Sequence, residues 1–120
     1  MKLYIGGLGH GQDVLAEKET GKKPEICTMS SAFTAPAIDQ FEELTKQIIR
    51  EGGDAQAFAR ELLEKNPDVV VVCNEIGYGI HPLEREERLW REQTGRALCI
   101  LADSAESVTR VSCGIGQRIK

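Results

Sequence analysis

Five consecutive apolar residues, Val69-Val70-Val71-Val72-Cys73, constrain this chain more than any other feature. A strand with one wet face alternates apolar and polar side chains, so an unbroken run fits a strand covered by helices on both faces, mid-sheet. Further apolar β-type runs at residues 3–5, 26–29 and 108–112 are separated by stretches long enough for helical crossovers. The expected fold is therefore α/β: a mostly parallel sheet flanked by helices. With 120 residues the chain fits one compact domain spanning 1–120 and has no room for a second.

Between these runs, Ile38, Phe41, Thr45, Ile48 and Ile49 recur at helical spacing, with Pro36 suited to a first turn and Gly52-Gly53 as the stop. Asp54 is the expected cap of a next helix that buries Phe58, Ala59, Leu62 and Leu63 and ends at Asn66-Pro67. A third helix is expected from about Leu83 to Asp103, with Trp90, Ala97 and Leu101 facing inward. Its pairs Glu84 with Arg88, Glu87 with Arg91 and Glu92 with Arg96 have the favourable acid-before-base order, each contributing about 0.2–0.5 kcal/mol when exposed. Residues 17–24 read as a polar loop.

Aromatic residues make up only 5% of the chain, so the core is expected to be aliphatic. A net charge of -4 argues against unaided binding to nucleic acid or to an anionic membrane, and a phosphorylated ligand would need a local positive patch. No apolar run reaches the roughly 18 residues of a membrane span, and the N-terminus runs straight into a strand-like segment, so a cytoplasmic protein is expected. Cys27, Cys73, Cys99 and Cys113 are far apart, with no CxxC and no nearby histidine pair. They read as reduced core residues rather than zinc ligands or a disulfide framework.

After the first strand comes Gly6-Gly7-Leu8-Gly9-His10-Gly11-Gln12-Asp13, which keeps the G-x-x-x-x-G spacing of a phosphate-binding loop before a helix-compatible stretch. In such a loop Gly6, Gly7, Gly9 and Gly11 let backbone N–H groups curl around phosphate oxygens, a lysine reaches the terminal phosphates, and a hydroxyl holds magnesium. Here Gln12 stands for the lysine and Asp13 for the hydroxyl. Both changes oppose ordinary triphosphate binding. Asp13 can recover part of the loss by holding magnesium, and His10 can supply a proton near neutral pH. The plainer alternative is a tight βα turn with no ligand.

Asn74 and Glu75 stand at the carboxyl end of the central strand, where ligands of open α/β sheets bind, followed by the turn Ile76-Gly77-Tyr78-Gly79-Ile80-His81-Pro82. If the two strands are neighbours, this pair faces the same crevice as the loop. Glu75 is then a candidate base or magnesium holder and Asn74 a candidate ligand-orienting residue; alternatively both only hydrogen-bond the turn.

Asn-Glu-x-Gly-x-Gly-Ile-x-Pro at 74–82, the arginine-rich stretch 85–91, Gly95-Arg96 and a terminal strand ending in Gly114 resemble the adenosylcobinamide kinase/adenosylcobinamide-phosphate guanylyltransferase family. The likeness runs without gaps over about 50 residues from Val69, and Tyr4-Ile5-Gly6-Gly7 with Gly11 is similar to that family's first strand and loop. The resemblance implies a P-loop nucleotide-binding domain, homo-oligomeric assembly, ATP or GTP with Mg2+, and work on the nucleotide loop of cobalamin. Members phosphorylate adenosylcobinamide and then transfer GMP onto that phosphate through a guanylylated histidine.

It also implies phosphate contacts from Arg85 and Arg96, which match family positions; their alternative is a solvated, salt-bridged helix face. The chain departs from the pattern in three ways. It is shorter between its second strand and the central one, it has no histidine between residues 11 and 80, and Leu98-Cys99 replaces the usual Asn-Gln pair. His10 and His81 are the remaining histidines, and His81 reads as a turn residue. Residues 25–28 match either the second strand or the acidic strand that supplies magnesium binding.

Two functions follow from the resemblance and the residues together. The first is a kinase/guanylyltransferase-like protein of cobalamin nucleotide-loop assembly, with weak triphosphate and Mg2+ binding. The second is a non-catalytic module or partner subunit binding a corrinoid or nucleotide.

Overall fold

A computed structural model describes residues 1–76 and 84–120 of the chain. The elements are β1 (Lys2–Gly6), α1 (Gln12–Thr20), β2 (Glu25–Ile26), α2 (Met29–Ala32), β3 (Ala37–Asp39), α3 (Phe41–Arg50), α4 (Ala55–Lys65), β4 (Val70–Asn74), α5 (Arg85–Ser104), β5 (Ser107–Ser112) and β6 (Ile115–Arg118).

One six-stranded sheet has the order β2-β3-β4-β1-β5-β6, parallel throughout except for the antiparallel β5–β6 hairpin. β4 lies inside the sheet between β3 and β1, and Val70, Val71, Val72 and Cys73 are each no more than 2% exposed. This is the two-sided burial that the unbroken apolar run demands. Val71 and Cys73 join Leu3, Ile38, Phe41, Leu62 and Leu101 in the larger core, built with α3, α4 and α5. Val70 and Val72 join Tyr4, Val111 and Ala16 in a smaller core under α1.

Asp54 caps α4 as expected, its carboxylate accepting from the N–H groups of Gln56 and Ala57, and Asn66 closes the other end. Asn66 also donates its side-chain amide to the carbonyls of Ala32 and Ala35, tying α4 to the segment before β3. In α5, Ala97 and Leu101 are buried, while of the three expected ion pairs Glu92–Arg96 closes, at 2.7 Å. Leu83, where that helix was expected to begin, lies outside the described residues.

Four expectations are corrected. Ile38 is not part of a helix but is buried in β3, because Gln40 at φ 50 breaks the chain direction and α3 starts at Phe41. The run at 26–29 yields only the short edge strand β2, because Thr28 and Ser31 form a reciprocal capping box that starts α2. Residues 17–20 are the second half of α1, which ends at Gly21 in the left-handed region. Cys27 and Cys73 are core residues, but Cys99 and Cys113 are exposed.

Candidate functional site

β1 and β4 are neighbours in register, with Gly6 opposite Asn74, so the loop after β1 and the end of β4 share one edge of the sheet. The loop leaves β1 at Gly6 because little else fits: a Cβ there would stand 2.6 Å from the Val111 carbonyl oxygen and 3.0 Å from Gln12 Oε1. It enters α1 through Gly11 at φ 85, a left-handed conformation that glycine adopts without penalty. Gly11 has no side chain to cap α1, which leaves its first N–H groups at the loop; Gly9, also at positive φ, and Gly7 complete the turn.

Under the loop lies a polar relay. Gln12, 3% exposed, donates from Nε2 to the carbonyls of Gly6 (3.0 Å) and Gly7 (3.1 Å) and to Asn74 Oδ1. Asn74 in turn donates from its backbone N–H and from Nδ2 to the two carboxylate oxygens of Glu42, each at 3.0 Å. Glu42 is 6% exposed, in the first turn of α3. Its backbone carbonyl accepts from Trp90 Nε1 at 2.8 Å and from Thr45 Oγ1 at 2.9 Å, so α5 and α3 both brace it. Its charge adds to burial in pushing the Cys73 thiol well above the ordinary range, which makes that cysteine an inert core residue.

At the mouth of the loop, a cavity of about 180 Å3 is lined by Gly9, Gly11, Gln12, Asp13, Asp39 and Asn74, among others. Burial, and then the neighbouring Asp13 charge, raise the Asp39 carboxyl above its usual value, opposed by the Gln40 N–H that Asp39 accepts at 2.8 Å. Asp13 and Asp39 thus bring two acidic side chains to one small cavity. Glu75, the other expected metal holder, lines no part of this cavity; it pairs with Arg110 at 3.3 Å and donates its backbone N–H to Gly6 O.

The outer rim is held by the β5–β6 turn. His10 Nδ1 accepts from the Cys113 N–H at 2.9 Å and His10 O accepts from the Gly114 N–H at 2.8 Å, so a neutral His10 carries its proton on Nε2. A second cavity, about 400 Å3, opens between this rim and Val14, Leu15 and Lys18 of α1. Arg85 and Arg96 line neither loop cavity; both are exposed on α5, and Arg96 is paired with Glu92. His81 and the turn at 77–82 lie outside the described residues.

The helical spacing from Ile38 to Ile49 hides Asp39 and Glu42 inside one expected helix. The signal that finds Asp39 is the order apolar-apolar-acid after a proline, Pro36-Ala37-Ile38-Asp39, which marks a short strand ending in a carboxylate; no local pattern marks Glu42.

A mostly parallel sheet with a glycine turn leading from an inner strand into a helix defines an α/β protein of P-loop-like architecture. Within that class, the chain belongs to the cobinamide kinase / cobinamide phosphate guanyltransferase family, whose model matches residues 41–119, more than half of the chain. The matched stretch begins at Phe41, after the glycine loop, and takes in Glu42, Asn74 and Glu75. No curated protein matches the chain significantly. Among the described residues no helix is long and apolar enough to cross a membrane.

Asp13 and Asp39 are the carboxylates lining the loop cavity, and among the described residues no group of three or more His, Cys, Asp or Glu side chains converges as a metal site. The amide at position 12 is neutral, and its two N–H bonds are directed at three acceptors beneath the loop.

Proposed function

We propose that this chain serves the assembly of the cobalamin nucleotide loop as a binding member of its family, holding a corrinoid or a nucleotide at the loop without transferring phosphate. The observation that carries this reading is the placement of Gln12. A lysine there would offer three N–H donors and a full charge; the glutamine offers two donors, both turned inward, while Asp13 and Asp39 make the mouth acidic. Loss of one preorganised charge-stabilising group commonly costs about 100- to 1,000-fold in rate. Homo-oligomeric assembly and a cytoplasmic location belong to the same proposal, the first open to light scattering on the purified protein.

Calorimetric titration with magnesium-ATP, magnesium-GTP and cobinamide tests it, together with mass spectrometry of the corrinoid after incubation. Binding of cobinamide with weak or no triphosphate binding and no mass gain is expected. Micromolar triphosphate affinity with phosphorylated cobinamide would overturn it. The double variant Gln12→Lys with Asp13→Ser is expected to raise triphosphate affinity about tenfold or more. No change there would mean that the loop does not receive phosphate.

A second reading keeps turnover and rests on Asp13 and Asp39 sharing one small cavity. It requires a cation supplied in trans by a partner chain. Phosphorylation that appears only above a threshold protein concentration would favour it.

A further inference from the structure

We infer that Glu42 is the positioning residue of the glycine loop: its carboxylate sets which way the Asn74 amide faces, and Asn74 in turn holds the Gln12 amide against the loop carbonyls. An ionised carboxylate only accepts hydrogen bonds, whereas an amide has one donating and one accepting end. Glu42 takes the Asn74 backbone N–H on one oxygen and Nδ2 on the other. Asn74 is thereby obliged to present Oδ1 to Gln12, and that oxygen accepts from the same Nε2 that reaches Gly6 O and Gly7 O. With the Asn74 amide reversed, oxygen would face Glu42 and two N–H2 groups would face each other at Gln12. The hydrogen-bond polarity thus runs one way, from α3 through β4 to the loop.

The arrangement leaves one polar atom of Gln12 unanswered. Its Oε1 is buried without a hydrogen-bond partner, while three acceptors compete for its two N–H bonds. Nothing at Gln12 alone makes that orientation comfortable. It is held by acceptors on one side, and the Asn74 oxygen is among them only because Glu42 turns it there. Gly6 O is also gripped by the Glu75 N–H at 2.8 Å, so the start of the loop and the end of β4 move together.

A merely structural role for Glu42 and a positioning role separate by reversing hydrogen-bond polarity at constant size. In Glu42→Gln, one N–H2 must face a donor of Asn74, or Asn74 must reverse and face the donor of Gln12. Adding Asn74→Asp restores every pairing: the residue-42 amide accepts the backbone N–H and donates to one oxygen of the new carboxylate, whose other oxygen accepts from Gln12. The readouts are hydrogen exchange of the Gln12 side-chain N–H2 and of the Glu75 backbone N–H, followed by NMR without any nucleotide. Fluorescence of Trp90, the only tryptophan in the chain, reports whether α3 and α5 remain docked.

Glu42→Gln is expected to speed exchange at both sites by about tenfold, and the double variant to return it to within about threefold of the parent. If Glu42→Gln does not fold, recovery of native Trp90 fluorescence in the double variant supports the relay in the same way. Unchanged exchange in Glu42→Gln, or a double variant no better than the single, would overturn it. Because no ligand enters the measurement, this outcome is separate from that of the nucleotide titrations.

Discussion

Three positions separate Asp39 from Glu42, yet the two carboxylates occupy opposite surroundings. Glu42 is buried and meets two N–H groups of Asn74; Asp39 is half-buried and meets the Asn74–Asp13 side of a small cavity, where the nearest acid repels it. A buried charge whose lone pairs are answered by the protein is a structural part, and removing its partner is costly. A partly buried charge beside a second like charge is destabilised until something positive arrives, which is what a ligand site needs. The inner side of the loop and its mouth are thus different devices built on one short stretch of chain.

The sharpest way to break this contrast is to delete the inner carboxylate. Glu42→Ala leaves two buried or half-buried N–H donors of Asn74 without acceptors, and a loss of about 3 kcal/mol is expected in urea denaturation. A loss below about 1 kcal/mol would place Glu42 among ordinary surface acids. Next in size is Gly6→Ala. The added methyl would meet the Val111 carbonyl at 2.6 Å, a backbone atom that cannot step aside, and about 2 kcal/mol of destabilisation is expected with the sheet otherwise intact.

Much of this architecture can be read from residue order, and the parts that cannot share one cause. The apolar pentad at β4, the Asp54 cap and the glycine turn are local signals: each is set by side-chain pattern or backbone permission within a few residues. Their consequences, a central strand, a helix start and a loop at the sheet edge, appear in the structure as expected. Ile38 misleads because its spacing to Phe41 fits one helical turn, whereas burial between β2 and β4 makes it a strand residue. The relay is invisible for a stronger reason. Gln12, Glu42 and Asn74 are 30 or more positions apart, and nothing near any one of them reveals that the sheet order places β4 beside β1.

At the mouth, Asp39→Asn sharpens the comparison through pH. Burial raises the Asp39 carboxyl in the folded chain, so the charged form opposes folding; its contribution is most favourable at low pH and is lost as pH rises through the raised folded value. Asparagine keeps the oxygen that accepts from Gln40 and removes the charge. The variant is expected to melt higher than the parent at neutral pH and at the same temperature near about pH 3, where the acid is neutral in both states. It should also weaken any magnesium binding seen calorimetrically. A variant that melts lower at neutral pH would show that Asp39, like Glu42, is answered by the protein.

The rim of the loop should respond least, because its bonds face water. Cys113 sits at φ 53, a left-handed conformation that strains a residue with a Cβ by about 1–2 kcal/mol, and Gly114 beside it is also at positive φ. Cys113→Gly relieves that strain but frees the unfolded chain by about 0.5–1 kcal/mol, so a net gain of about 0.5 kcal/mol is expected. The backbone N–H that reaches His10 Nδ1 is unchanged by the substitution, and the loop should keep its position. His10→Ala removes the acceptor instead. Since the Cys113 N–H is exposed and water can replace the imidazole, a loss no greater than about 0.5 kcal/mol is expected, against about 3 kcal/mol for the buried acceptor at Glu42. Equal losses at the two ends would mean that burial does not set the worth of these bonds, and the division into a held inner side and an open mouth would fail.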